Sequence, residues 1–201
     1  MTIIVAIGDS TTAGTPGFLS PLEAPPDGRG DPTSQFAYWL MQAHADWQVL
    51  NRGVNGERSD QIRARFGRDV LAVRPHAVVI LAGVNDIYQG RPALSVQREL
   101  DAMYADALAA GIPVAAATIV PYNTATADQN ARMHAVNDWI RERADRSGGA
   151  ILACDTRAAV ASPGAPDRLA SSPDDLHPSP DGYRRMADAL EPVIARLLAP
   201  R

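Results

Sequence analysis

Ser10, His177 and Asp174 have the residue types and spacing for nucleophilic acyl chemistry. A serine hydroxyl is a weak nucleophile and needs a base to take its proton. An imidazole can do this, because it titrates near about pH 6.5. The imidazole in turn needs an acceptor on its second ring nitrogen, which fixes the tautomer and stabilises the imidazolium. Asp174 precedes His177 by three positions, so one tight loop can present both. Asp175 is the rival carboxylate, and the spacing favours Asp174. Attack on a carbonyl also creates an oxyanion, which needs fixed donors. The Gly56 N–H, the Asn85 side-chain amide and the Ser10 N–H are suitable donors.

These residues must be brought together by the elements between them. Thr2–Ile7 is short, β-branched and apolar, as in a buried strand. Trp47–Asn51, Ala77–Leu81, Pro113–Ile119 and Ala150–Asp155 read as four further strands. Helical patterns lie between them. Thr33–Ala45 reads as a helix with Thr33 as its N-cap, and Ser59 as the cap of another that breaks near Gly67. Leu94–Ala110 and Thr126–Ser147 are two more helices. Pro180 opens the last, which runs to Leu198. Thr11–Pro32 is a long Gly/Pro-rich stretch, and Arg157–Pro173 reads as irregular.

Five alternations of strand and helix predict an α/β fold, with a parallel sheet covered by helices on both faces. One domain is expected over residues 1–201. In such folds the active site lies beyond the carboxyl ends of the strands. The polar blocks fall there. Gly8-Asp9-Ser10-Thr11 follows the first strand, Asn51 to Glu57 the second, and Gly83-Val84-Asn85-Asp86 the third. Asp174-Asp175-Leu176-His177-Pro178 precedes the last helix.

The four blocks, in this order, resemble those of the SGNH hydrolases, also called GDSL esterases or lipases. In block two, which offers Gly53 and Gly56, the better match is Gly56. The resemblance implies a flavodoxin-like α/β/α sandwich of five parallel strands in the order 2-1-3-4-5. It implies Ser10 as nucleophile, His177 as base and Asp174 as its orienting partner. Ser10 N–H, Gly56 N–H and Asn85 would form the oxyanion hole. No metal or organic cofactor is implied. A serine esterase acting on small-molecule esters, with short acyl chains, is the expected activity. Carbohydrate O-deacetylation, thioester hydrolysis and acyl transfer are alternatives on the same site. A non-catalytic ligand-binding module of the same architecture is the alternative of a different class.

Composition narrows the choice further. The chain carries 19 basic and 23 acidic residues, for a net charge of −4, and every basic residue is Arg. An acidic chain without a basic cluster is a poor nucleic-acid binder. Without Lys, Schiff-base chemistry and a P-loop are excluded, and so is a Ser–Lys dyad. Ser10 also lacks the G-x-S-x-G setting of an α/β-hydrolase. No apolar run approaches the ~20 residues that cross a bilayer, so no stable membrane insertion is expected. No signal peptide is read in the opening Met-Thr-Ile-Ile-Val, and a cytoplasmic location is expected.

The remaining polar residues read as structural. Asp9 suits a turn, and Asp86 a supporting position. His44, His76 and His134 are scattered, and Cys154 lies in an apolar strand. Trp39, Trp47 and Trp139 read as core. Tyr122 and Asn123 follow the fourth strand and are expected to line the substrate pocket. The Thr11–Pro32 stretch is expected to contribute to that pocket or to form a partial lid.

Overall fold

The computed structural model describes residues 1–199. Five parallel strands form its main sheet: β1 (Thr2–Gly8), β2 (Trp47–Gly53), β3 (Ala77–Leu81), β4 (Val114–Ala117) and β5 (Ile151–Cys154). Their spatial order is 2-1-3-4-5. All five residues of β3 are buried, as expected at the centre of a sheet with both faces covered.

Alternation along the strands sorts side chains into two cores. Val5, Ile7, Val78, Ile80 and Val114 face one core. It is completed by Ile62 of α3 (Ser59–Ala64), Leu100 and Tyr104 of α5 (Ala93–Ala109), and Val136 and Ile140 of α6 (Ala127–Asp145). Ile4, Ala6, Val79, Leu81 and Ala115 face the other. There they meet Phe36 and Leu40 of α2 (Phe36–Ala43), and Tyr183, Leu190 and Ile194 of α8 (Pro180–Leu198). Three shorter helices complete the fold: α1 (Ser10–Ala13), α4 (Val84–Tyr88) and α7 (Thr156–Val160). Among the described residues no helix is long and apolar enough to cross a membrane.

Strand register places the polar blocks on one rim. Gly8 at the end of β1 pairs with Gly53 of β2 on one side and Leu81 of β3 on the other. The residues that follow all three strands therefore emerge together. Crowding fixes the two glycines. A Cβ on Gly8 would lie 2.2 Å from the Leu81 carbonyl oxygen, and one on Gly53 would lie 2.1 Å from the Ala13 nitrogen.

Several expected boundaries move. Thr33 is not the cap of α2. Asp31 caps a 3₁₀ turn over Pro32–Ser34 by accepting from the Thr33 N–H at 2.9 Å, and extended Gln35 separates this turn from α2. Ser59 is the first residue of α3, not its cap. Arg58 precedes the helix, and the Gln61 side chain accepts from the Arg58 N–H at 3.0 Å. The break at Gly67 is a π-helical turn over Gly67–Leu71.

Residues 157–173 are more ordered than their composition suggests. They contain most of α7 and a hairpin of Ala161–Ser162 with Ala165–Leu169, anchored by buried Val160 and Leu169. Thr11–Pro32 holds most of α1 and a hairpin pairing Phe18–Leu19 with Arg29–Gly30. This stretch is fastened to the exit of β2. Ser20 Oγ donates to the Gly53 carbonyl at 2.6 Å, and Glu23 accepts from the Asn55 N–H at 2.9 Å. Of residues 11–32, only Thr11 lines the hollow described next.

Candidate active site

Ser10 stands at the first position of α1, directly beyond β1. Asp9 makes this turn by accepting from the Thr11 N–H at 3.0 Å as the N-cap. Gly14, at φ 108°, ends the helix after a single turn. The Ser10 hydroxyl lies 2.8 Å from His177 Nε2, across 167 positions of sequence. His177 Nδ1 lies 2.7 Å from Asp174 Oδ2. An ionised carboxylate can only accept, so Nδ1 carries the proton and Nε2 is left to accept from Ser10.

The other Asp174 oxygen accepts from the backbone N–H groups of His177 at 2.8 Å and Leu176 at 3.0 Å. Partial burial pushes the Asp174 carboxyl up. The His177 ring and the two N–H groups outweigh this and hold it below the usual carboxylate range. Asp174 therefore stays ionised beside the imidazole at neutral pH.

Asp175 turns away from the imidazole. It adopts φ +62°, a left-handed conformation that Asp tolerates better than most residues. Its carbonyl accepts from the Asn123 N–H at 2.8 Å, and its carboxylate from Asn123 Nδ2 at 3.0 Å. Asn123 Oδ1 meanwhile accepts from the Leu169 N–H at 2.8 Å. Asn123 is thus absent from the pocket wall and ties the Asp174–His177 loop to the hairpin before it. Tyr122 does line the pocket, its ring buried and set edge-on to Tyr88 at 5.9 Å between centroids.

A hollow of about 300 Å³ opens beside Ser10 and His177. Gly56 and Asn85 border it, with Val84, Tyr88, Tyr122 and Leu176 supplying apolar walls. Gly56 adopts φ +74°, its missing Cβ would meet nothing within 4 Å, and its N–H has no acceptor among the described residues. Gly53 is instead packed against α1, so the two candidate glycines are separated by position. Asn85 Nδ2 donates to the Glu57 carbonyl at 2.9 Å, which leaves its second N–H for another acceptor.

Asp86 lies behind Asn85 and is fully buried. It accepts from the Ser59 N–H at 2.7 Å, the Ser59 hydroxyl at 2.9 Å and Arg91 at 2.9 Å. Burial raises its carboxyl despite these bonds. Tyr88 and Leu176 are additions to the residues expected from sequence. Both are exposed apolar side chains at the pocket, Tyr88 shortly after the Asn85 block and Leu176 between Asp174 and His177. A larger hollow, of about 710 Å³, lies along β5 between Arg141 and Arg196. It contains neither Ser10 nor His177, so its size is no guide to the chemistry.

The other three histidines each have a hydrogen-bond partner. His44 Nε2 lies 2.6 Å from Glu191, with its ring stacked on Trp47 at 3.9 Å. His134 pairs with Asp167 at 2.7 Å, and His76 accepts from the Ile3 N–H at 3.0 Å. Among the described residues, no three His, Cys, Asp or Glu side chains are grouped to hold a metal ion. Burial pushes the Cys154 thiol up to about 12, so it carries no thiolate at neutral pH. Trp47 is buried, while Trp39 and Trp139 pack partly exposed at the core margins.

Asp9 is the strongly perturbed carboxyl near Ser10. Burial pushes it up to about 7, and nearby Asp86 adds to this against the Thr11 hydrogen bond. A carboxyl raised in the folded state favours folding while protonated, and that advantage fades as pH rises from about 4 to about 7. Asp9→Asn keeps a capping oxygen but cannot ionise. Urea unfolding should therefore show wild type losing up to roughly 4 kcal/mol relative to Asp9→Asn between pH 4 and pH 8. Parallel stability curves for the two proteins would contradict the raised value.

Comparison with known proteins agrees with this architecture. Residues 6–185 match the model of the GDSL-like lipase/acylhydrolase family. The fold is similar to that of a protein assigned to the G-D-S-L lipolytic family from Desulfitobacterium hafniense DCB-2. The two are 26% identical over 96% of this chain and 99% of that one, with a TM-score of 0.78. An acetylxylan esterase from Geobacillus stearothermophilus is 22% identical, over 96% and 94% of the two chains, with a TM-score of 0.74. That likeness is one of fold. An uncharacterized lipoprotein, YqeF of Bacillus subtilis (strain 168), is 31% identical over 100 residues, which are 47% of this chain. The match spans 37% of that relative's length. The span matched by the family model contains all four polar blocks, and the chain belongs to the GDSL-like lipase/acylhydrolase family of hydrolases.

Proposed function

We propose that this protein is a serine esterase that cleaves short-chain carboxylic esters through an acyl-enzyme on Ser10. The observation that carries this reading is the hydrogen-bonded series Ser10–His177–Asp174 at the edge of a hollow bordered by Gly56 and Asn85. Ser10 Oγ attacks the ester carbonyl carbon while its proton passes to His177 Nε2. The carbonyl oxygen becomes an oxyanion, held by the N–H groups of Ser10 and Gly56 and by the Asn85 amide. Collapse of this intermediate breaks the bond to the leaving alcohol, which takes the proton from His177. Water then attacks the acyl carbon and gives a proton to His177, which passes it to the Ser10 oxygen as the acid leaves. Asp174 stays ionised and holds the imidazolium through Nδ1 in both halves.

The hollow is at the small end of the range for small-molecule sites, which supports short acyl groups. Tyr88 favours a second reading, the deacetylation of carbohydrate. Tyr88 is 57% exposed at the pocket, where its ring offers a flat face to a sugar.

A panel of p-nitrophenyl esters from acetate to dodecanoate, run beside acetylated xylo-oligosaccharides, separates these readings. The expected result is a kcat/KM that peaks at acetate to butyrate and falls for longer chains. A fluorophosphonate should label one residue, Ser10, as located by peptide mass spectrometry. No turnover of any ester, or a label elsewhere, would overturn the proposal.

A further inference from the structure

Arg65 lies outside the hollow and yet touches both sides of the site. It follows α3, and its side chain is 8% exposed. Its guanidinium donates in three directions: Nε to Glu57 at 2.7 Å, one terminal nitrogen to Asp69 at 2.9 Å, and the other to the Gly8 carbonyl at 2.9 Å. Gly8 ends the strand that delivers Ser10, and Glu57 directly follows Gly56.

Glu57 in turn presents its own carbonyl to Asn85 Nδ2. The Gly8 carbonyl also accepts from the Val54 N–H at 3.1 Å, at the start of the same loop. One buried cation therefore links the strand before Ser10, the loop carrying Gly56, and through that loop the Asn85 amide. Gly56 itself has open space where a Cβ would stand, so packing around that Cβ does not hold the loop in place.

We propose that Arg65 is a positioning residue that fixes the Gly56–Glu57 loop against the end of β1 and so aligns the oxyanion donors with Ser10. This rests on the esterase reading given above. The planar fork explains why the position needs Arg. It can reach a carbonyl and two carboxylates at fixed angles, whereas an ammonium presents a single point of charge. Asp69 and Glu57 supply the negative charge that makes burial of the cation tolerable. Donor alignment acts on the oxyanion, which exists only after attack. A loosened loop therefore lowers kcat and leaves KM nearly unchanged.

The test uses Arg65→Lys, Glu57→Ala and Glu57→Gln in the full chain, with p-nitrophenyl acetate as probe and Ser10→Ala as control. Arg65→Lys and Glu57→Ala should each lower kcat about 10- to 100-fold, with KM within about twofold of wild type. Glu57→Gln, whose amide oxygen still accepts from Arg65, should recover most of the loss. The Arg65→Lys/Glu57→Ala pair should be no slower than the worse single variant, since both act through one contact.

Glu57 lies in a loop with its side chain 19% exposed, against 8% for Arg65, so Glu57→Ala decides the matter if Arg65→Lys does not fold. Folded variants with wild-type kcat, or with losses confined to KM, would overturn the positioning role. Hydrolysis within tenfold of wild type in Ser10→Ala would instead overturn the esterase reading itself.

Discussion

Ser10→Ala is expected to lower kcat for p-nitrophenyl acetate by about 10⁶-fold while leaving the fold intact. In the proposed mechanism the hydroxyl forms the acyl bond, and among the described residues no other hydroxyl lies within hydrogen-bonding distance of His177 Nε2. Cys154 is buried in β5 with its thiol protonated, and the chain has no Lys. The structural cost is small, because among the described residues the Ser10 side chain bonds only to His177, and the α1 cap comes from Asp9. Melting temperature should stay within a few degrees of wild type. The variant should still bind substrate and slowly turn it over above the uncatalysed rate, because the oxyanion donors remain. Steady-state kinetics with mass-spectrometric control for contaminating wild type provide the check. Turnover within tenfold of wild type would refute the role of Ser10.

Asn85→Ala has the next largest expected effect, a loss of about 10²–10³ in kcat. The amide has two hydrogens. One is taken by the Glu57 carbonyl, and the other is free to meet the oxyanion. Alanine removes both, and the part-buried Glu57 carbonyl can turn to water. Asn85→Asp should be worse than Asn85→Ala, because it also sets a negative charge beside a developing negative charge. KM should change little in either. A change confined to KM would make Asn85 a substrate contact, and equal rates for Ala and Asp would remove the electrostatic argument.

Much of the architecture is legible in the amino-acid order. Periodicity separates the β-branched runs at residues 2–8 and 77–81 from the helices at 127–145 and 180–198. Thr126 and Ser179 cap the two long helices with their own side chains, and such local signals are readable from a few neighbouring residues. The later start of α2 has a local cause as well. Asp31 and Pro32 favour a tight turn that uses up the first positions of the expected helix. The hairpin at 161–169 is less readable. Its strands are short, have no β-branched or aromatic residue, and pack through buried Val160 and Leu169.

The site divides in the same way. The order of the four blocks, each set at a strand end or before the last helix, is enough to gather Ser10, Gly56, Asn85 and His177 at one rim. Asp174 is distinguishable from Asp175 by spacing, because three residues of tight loop place a carboxylate beside its own imidazole. The role of Asn123 is not legible. Its partners are Asp175 and Leu169, 52 and 46 positions away, and nothing local distinguishes a pocket wall from a loop tie. Arg65 is hidden for the same reason, since its contact with Gly8 spans 57 positions.

Residue types set which reactions are available to this chain, and apolar periodicity sets which loops share a rim. Together they point to the hydrolase family and to the end of the sheet where its blocks meet, because both are local properties of the amino-acid order. Two things come only from the folded arrangement: the loop-tying role of Asn123, and how firmly the Gly56 and Asp174 loops are held. They depend on strand register, on the direction of each turn, and on contacts among residues far apart in the chain. The 2.8 Å between Ser10 and His177, across 167 positions, is the clearest of these contacts.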